Sequence, residues 1–237
     1  MNREYASIQL NELKESIGYP KGMLNLKDVA EYLSDPACFS LVEEAFFEQL
    51  PGILSKNLPA NGDLVVCGIW RGGSALYLQA INQWMGYRRP LWLFDTFSGF
   101  HREDFTHPKD LDFLRSFSLD QTYHFPRPEA VKALFDNHGL WTDKVRMSEG
   151  LLQETIPGSG ITTIGLLHLD VDFHKPTLDA LELCYPRLVQ GAIVLIDDYG
   201  VPEFGCGEAV DHFRGSHGIT APIHFLNDHM AYWIHHG

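Results

Sequence analysis

Apolar positions along the chain follow two different rhythms. Near the N-terminus Val29, Tyr32 and Leu33, then Leu41, Ala45, Phe46 and Leu50, recur at three- and four-residue steps, as in a pair of amphipathic helices. Pro51 and then Pro59-Ala60-Asn61-Gly62 end this region. Residues 1–62 therefore read as a helical cap that either packs on a core or covers an active site. From Asp63 onward, short apolar runs alternate with helical ones. Strands are predicted over 64–69, 90–94, 144–147, 164–169 and 192–196. Helices are predicted over 74–84, 129–138 (closed by Gly139), within 177–188, and over 208–216 before Gly218. This alternation calls for right-handed crossovers and a parallel sheet covered on both faces. Two last runs, 222–226 and 230–234, flank Asn227-Asp228-His229 and suit a terminal antiparallel hairpin. The expectation is an α/β chain: one Rossmann-like domain over 63–237 with a seven-stranded sheet, preceded by the helical cap.

Composition narrows the choice of function. Across 237 residues, 45% hydrophobic and 12% aromatic against 21% charged is enough to bury a substantial core, which excludes disorder over most of the chain. The balance of 18 basic and 31 acidic side chains, −13 in all, repels phosphate backbones and anionic lipid. Nucleic acid and membrane are therefore not expected partners, and a neutral or cationic small molecule is. Polar residues interrupt every apolar stretch before membrane-spanning length, and Met1-Asn2-Arg3-Glu4 lacks a signal-type apolar block. A cytoplasmic protein is expected. Cys38, Cys67, Cys184 and Cys206 form no CxxC pair and read as reduced, buried thiols.

Candidate chemistry lies at the carboxyl ends of the predicted strands, where ligands of a doubly wound sheet bind. The first end reads Cys67-Gly68-Ile69-Trp70-Arg71-Gly72-Gly73-Ser74, and the second ends in Asp95. Glycines allow a tight turn and close backbone approach, and the following helix presents free N–H groups. An acid ending the second strand can accept bonds from both hydroxyls of a ribose. Together they point to a nucleoside-containing cofactor. The spacing is GxxxGG and not GxGxxG, so the pyrophosphate turn of a nicotinamide site is not reproduced.

Two later strand ends, His168-Leu169-Asp170-Val171-Asp172 and Leu195-Ile196-Asp197-Asp198-Tyr199, bring four carboxylates to one rim. Without a counter-ion, so many like charges cost several kcal/mol or force protonation. A divalent cation removes the cost, and all-oxygen ligation favours Mg²⁺, Mn²⁺ or Ca²⁺ over Zn²⁺. The plainer reading has one of these acids capping a loop or helix. A rival is a His-x-Asp iron pair built on His168 and Asp170, although such pairs usually sit in all-β folds. Another is a glycosyltransferase in which Asp170-Val171-Asp172 holds a nucleotide-sugar diphosphate through Mn²⁺, which leaves the GxxxGG turn without a duty.

The stretches VVCGIWRGGSALYLQ, FDTFSGF, LHLDVDFHKPTLDALELCYPRL and AIVLIDDYG together resemble the macrocin O-methyltransferase family. The resemblance runs from about Gly62 to Tyr232-Trp233 and is strongest from Leu167 to Tyr199. It implies an S-adenosylmethionine- and Mg²⁺-dependent enzyme that methylates a sugar hydroxyl of a small molecule in antibiotic biosynthesis. By position, Gly68, Trp70, Arg71, Gly72 and Gly73 would line the methionine end of the cofactor. Asp95 would hold the ribose with Thr96 and Ser98 nearby, and Ser148, Glu149 and Gly150 would lie at the adenine. The resemblance makes Asp170, Asp197 and Asp198 the metal ligands and Asp172 the base. Where the family usually carries an acid two residues before the first glycine, this chain has Val66, the one hint of a cofactor-binding module without catalysis. The stretch 108–126 falls to the substrate side. Trp141, Tyr199, His174 and the aromatic-rich stretch 97–117 read equally as sugar-stacking wall or core. The N-terminal helices offer an interface for a homo-oligomer.

Overall fold

A computed structural model describes residues 40, 42, 44–116 and 125–237. Its centre is a seven-stranded sheet: β1 (Asp63–Cys67), β2 (Leu91–Asp95), β3 (Val145–Glu149), β4 (Ile164–Leu169), β5 (Leu188–Ile196), β6 (His224–Phe225) and β7 (Ala231–Ile234). The spatial order is β3-β2-β1-β4-β5-β7-β6. The first five strands run parallel; β7 lies antiparallel to β5 and pairs with β6 as the expected hairpin. Seven α-helices are described: α1 (Glu44–Asn57), α2 (Gly73–Trp84), α3 (Pro108–Ser116), α4 (Pro128–Asn137), α5 (Leu152–Thr155), α6 (His174–Cys184) and α7 (Cys206–Ser216).

Strand alternation sorts the apolar side chains into two cores. Leu64, Val66, Leu91, Leu93, Leu166, Ile193 and Leu195 face one side with α1, α2 and α4. Val65, Cys67, Phe94, Leu167, Leu169, Val194 and Ile196 face the other, with α6, α7 and Trp233. A sheet covered on both faces needs near-continuous apolar strands, and the runs in β1, β4 and β5 supply them. Cys67, Cys184 and Cys206 are buried free thiols, while Cys38 lies outside the described residues. No described helix is long and apolar enough to cross a membrane.

Several local expectations shift. Pro51 does not end the first helix: α1 runs through it to Asn57. A proline removes one intrahelical bond, and the burial of Phe46, Phe47, Leu50, Ile53 and Leu54 offsets that loss. The helix sought within 177–188 begins earlier, at His174, and ends at Cys184. Pro186 then sits in a 3-10 turn, and β5 starts at Leu188, before the expected 192. The extra strand passes Gly191 at φ 83 beside a register irregularity between Ile164 and Leu166, as a bulge requires. Of the predicted N-terminal pair, Val29, Tyr32, Leu33 and Leu41 lie outside the described residues.

Phe46 is fully buried, with ring centroids 5.1 Å from His168 and 6.2 Å from Tyr77. Phe46→Ala is expected to cost about 3–5 kcal/mol of stability in urea unfolding, the usual range for a buried aromatic. A loss below about 1 kcal/mol would show that α1 is not part of the cooperative core.

Candidate active site

The site is a product of register. Hydrogen bonding continues one residue past four of the five parallel strands: Gly68 N–H donates to the Phe94 carbonyl (2.8 Å), Gly150 to Asp95 (3.0 Å), Asp170 to Cys67 (2.9 Å) and Asp197 to Leu169 (2.9 Å). Four loops thus leave the sheet side by side. The chain turns from β1 toward β2 and β3 on one hand and resumes at β4 and β5 on the other. The ends of β1 and β4 therefore flank the switch point where such sheets bind ligands.

At the β1 end, Gly68 has φ 83 and Gly72 φ 85. A Cβ on Gly68 would overlap the carbonyl of Asp170, so the β1 and β4 loops touch there through backbone alone. Gly72 serves a different purpose: a Cβ would come 2.9 Å from Val131, so it lets α2 lie against α4. Trp70 is left-handed at φ 43, and the Arg71 guanidinium lies 4.6 Å from the centre of its ring. Asp95 holds this strained turn in place. Its Oδ2 accepts from the amides of Ile69 (2.8 Å) and Trp70 (3.0 Å), and its Oδ1 from Phe97 (2.8 Å). The acid expected at a ribose is thus also the clamp that fits the first loop to the second.

These loops enclose a cavity of about 300 Å³. Of the residues named from sequence, Gly68, Trp70, Gly73, Asp95, Thr96, Gly150, Asp170, Asp172, Asp197 and Asp198 line it. Arg71, Gly72, Ser98, Ser148 and Glu149 do not. Ser98 is exposed and bonds His101, and Glu149 points to solvent at the end of β3, from which the lining continues through Leu151, Leu152 and Gln153. Phe97 and Phe100 line the cavity from the aromatic-rich stretch, joined by Phe125 and Phe204. The last two stand in loops without periodicity, so no local pattern announced them. Asp104, also missed, lines it from a 3-10 turn whose capping box with His101 was the available signal.

The acids converge. Asp170, Asp197 and Asp198 each offer a carboxylate oxygen, all within 4.8 Å of one another. No other group of three His, Cys, Asp or Glu side chains among the described residues meets that spacing. Burial, then the charges of Asp197, Asp198 and Asp172, push the Asp170 carboxyl well above the usual carboxylate range. Burial and then Asp198, Asp95 and Asp110 do the same to Asp172, which is held left-handed at φ 60. A trio of oxygens under mutual repulsion suits a hard divalent cation. His168 stands apart from it, fully buried, stacked on Phe46, with no hydrogen-bond partner at either ring nitrogen. Burial lowers its pKa to about 4, so it is a neutral core residue at physiological pH, and the iron pair has no support.

Other candidates also find their places. Val66 is fully buried in the first core and does not line the cavity, so an acid there would face apolar side chains. Trp141 packs edge-on to Phe135, Tyr199 donates to Asp211 (2.8 Å), and His174 stacks on His107; none lines the cavity. The stretch assigned to the substrate side contains α3, an unpredicted helix, while residues 117–124 lie outside the described residues.

A sequence profile of the macrocin O-methyltransferase (TylF) family matches residues 42–235. The chain belongs to this family. As a macrocin O-methyltransferase family member it is an O-methyltransferase, with S-adenosylmethionine as the expected methyl donor. It is 35% identical over 185 residues to the Streptomyces olivaceus 8-demethyl-8-(2,3-dimethoxy-alpha-L-rhamnosyl)-tetracenomycin-C 4'-O-methyltransferase, covering 77% of this chain and 69% of that one. It is 33% identical over 175 residues to the Micromonospora griseorubida mycinamicin III 3''-O-methyltransferase, covering 73% and 68%. Among solved structures the O-methyltransferase NovP superposes with a TM-score of 0.74 at 23% identity, covering 99% of each chain, which shows a shared fold. Membership in a methyltransferase family removes the glycosyltransferase reading, and the glycine turn has a duty as a cavity wall.

Asp95→Ala is expected to weaken S-adenosylhomocysteine binding by on the order of 1–3 kcal/mol, through the three amides left unpaired and the lost acceptor. Unchanged affinity in calorimetry would remove Asp95 from the cofactor site. A second expectation concerns pH. Asp170 has a folded pKa above its unfolded value, so the folded chain binds the extra proton and loses stability as pH rises between the two. In EDTA, Asp170→Asn should therefore melt higher than the parent by a margin that grows from pH 5 to pH 8. A margin independent of pH would contradict the carboxylate crowding.

Proposed function

We propose that this protein transfers a methyl group from S-adenosylmethionine to a hydroxyl of a sugar carried by a small molecule, with a divalent cation, Mg²⁺ in the first instance, held by Asp170, Asp197 and Asp198. The observation that carries the reading is the meeting of the glycine turn, Asp95 and the three-acid cluster in one cavity. The sugar is supported by the relative whose name specifies a rhamnosyl substrate. The bound cofactor supplies an electrophilic methyl on a sulfonium sulfur, and a bound cation makes a neighbouring hydroxyl more acidic.

This chain's own residues do the rest. Gly68 and Gly73 border the cofactor's space without a side chain, and Asp95 accepts from its ribose while keeping the turn closed. Gly150 and the residues after it wall the opposite side. Asp172 lines the same cavity beside the three acids, which suits its carboxylate oxygen to accept the hydroxyl proton. Phe97, Phe100, Phe125 and Phe204 give the cavity apolar surface that excludes water and suits the face of a sugar ring. Ser40 and Val42 border the cavity too, which supports a role for the cap over residues 1–62 at the site.

Asp198→Ala should lower methylation by at least about 100-fold, within the range of lost electrostatic stabilisation, and leave S-adenosylhomocysteine affinity within a few-fold of the parent. EDTA should abolish turnover, and added Mg²⁺ or Mn²⁺ should restore it. Full activity in EDTA would end the metal role.

A further inference from the structure

One buried carboxylate near the site is not used by the chemistry above. Asp110, in the first turn of the short helix α3, is completely inaccessible to solvent. Its Oδ1 accepts from the Gly205 amide (2.7 Å) and its Oδ2 from the His174 amide (2.9 Å). His174 opens α6, directly after Asp170 and Asp172; Gly205 caps α7, at the far end of the loop that begins with Asp197 and Asp198. Both helices lack a side-chain cap of their own at this end, where backbone amides otherwise need partners. One carboxylate from a third segment supplies both.

The three segments are tightly joined there. A Cβ on Gly205 would come 2.9 Å from Asp110 Oδ2 and 2.7 Å from the His174 Cβ, so the two acid-bearing loops meet where only a hydrogen fits. Phe113 of α3 lies 5.6 Å from Phe173 and 5.1 Å from Phe204, one residue from each loop. Lys109 and His107 both reach Glu208 of α7, at 3.1 and 2.8 Å. A carboxylate is the side chain that accepts on two oxygens at once and donates on neither. Its charge works against it, since Asp110 adds to the repulsion at Asp172; the bridging geometry gives a reason to keep an acid despite that cost.

We propose that Asp110 is a positioning residue for the cation site: by bridging the first amides of α6 and α7 it sets the spacing of the β4 and β5 loops at which Asp170, Asp197 and Asp198 converge. The inference rests on the metal reading above. Binding of a cation and ordering of the Asp110 bridge then favour one another, because linkage is reciprocal.

The test uses the full chain and Mn²⁺ as probe, followed by electron paramagnetic resonance. Asp110→Asn keeps the shape and replaces one acceptor by a donor. Its Kd for Mn²⁺ should rise at least about tenfold, the range for groups that orient metal ligands, with the Kd for S-adenosylhomocysteine changed less than about twofold. Saturating Mn²⁺ should recover most of kcat, placing the defect in metal affinity. An unchanged Mn²⁺ Kd with a lowered melting point would reduce Asp110 to a helix cap and overturn the proposal. Should the variant fail to fold, the parent decides: Mn²⁺ should slow hydrogen exchange at the His174 and Gly205 amides, and unchanged rates overturn the proposal. A parent chain that binds no Mn²⁺ defeats the metal reading and this inference together; a parent that binds and a variant that binds equally defeat only the inference.

Discussion

The constraint on which this molecule depends is the repulsion among carboxylates at the ends of two neighbouring parallel strands. Asp170 follows β4, and Asp197 and Asp198 follow β5, with ladder bonds running on into both loops. The acids cannot separate without breaking those bonds, and the strands cannot shift without disturbing both cores. The folded state therefore keeps a cluster that raises the Asp170 and Asp172 carboxyls. Burial of Leu166, Leu167, Val194 and Leu195 in the same strands offsets that cost. The cluster opposes folding, and the packed strands hold it in place.

The same economy governs the turn at the end of β1. The turn after β1 contains Gly68, Trp70 and Gly72 at positive φ, a conformation that leaves several amides without partners in the local chain. Asp95 takes two of them and a third from its own loop. Turn shape and the docking of two loops thus reside in one side chain. Gly68 lets the Asp170 backbone come close by having no side chain, and Gly72 lets α2 lie against α4.

Around α3 the fold relies on long-range contacts more than on local pattern. Helix α3 has few apolar residues, and it is held by Asp110 and Phe113 reaching α6, α7 and the loops before them. The aromatic residues divide between lining and core: Phe97 and Phe100 line the cavity, whereas Phe105 packs against Phe173. Burial and alternation determine each assignment, and neither is encoded by residue type alone.

Much was legible from the chain alone. Strand-length apolar runs alternating with helical ones specified a parallel sheet, because only a doubly covered sheet buries them. Acids at two strand ends specified a rim of crowded carboxylates, because neighbouring parallel strands finish side by side. Tertiary structure decided what period and spacing do not carry. It placed Arg71, Gly72, Ser98, Ser148 and Glu149 outside the cavity and carried α1 through Pro51. It turned His168 and Val66 into the core and gave Asp110 its partners 64 and 95 residues away. The physical reason is the same throughout: a residue's neighbours along the chain set its local conformation, but its charge, burial and hydrogen-bond partners are set by segments that meet only when the sheet is assembled.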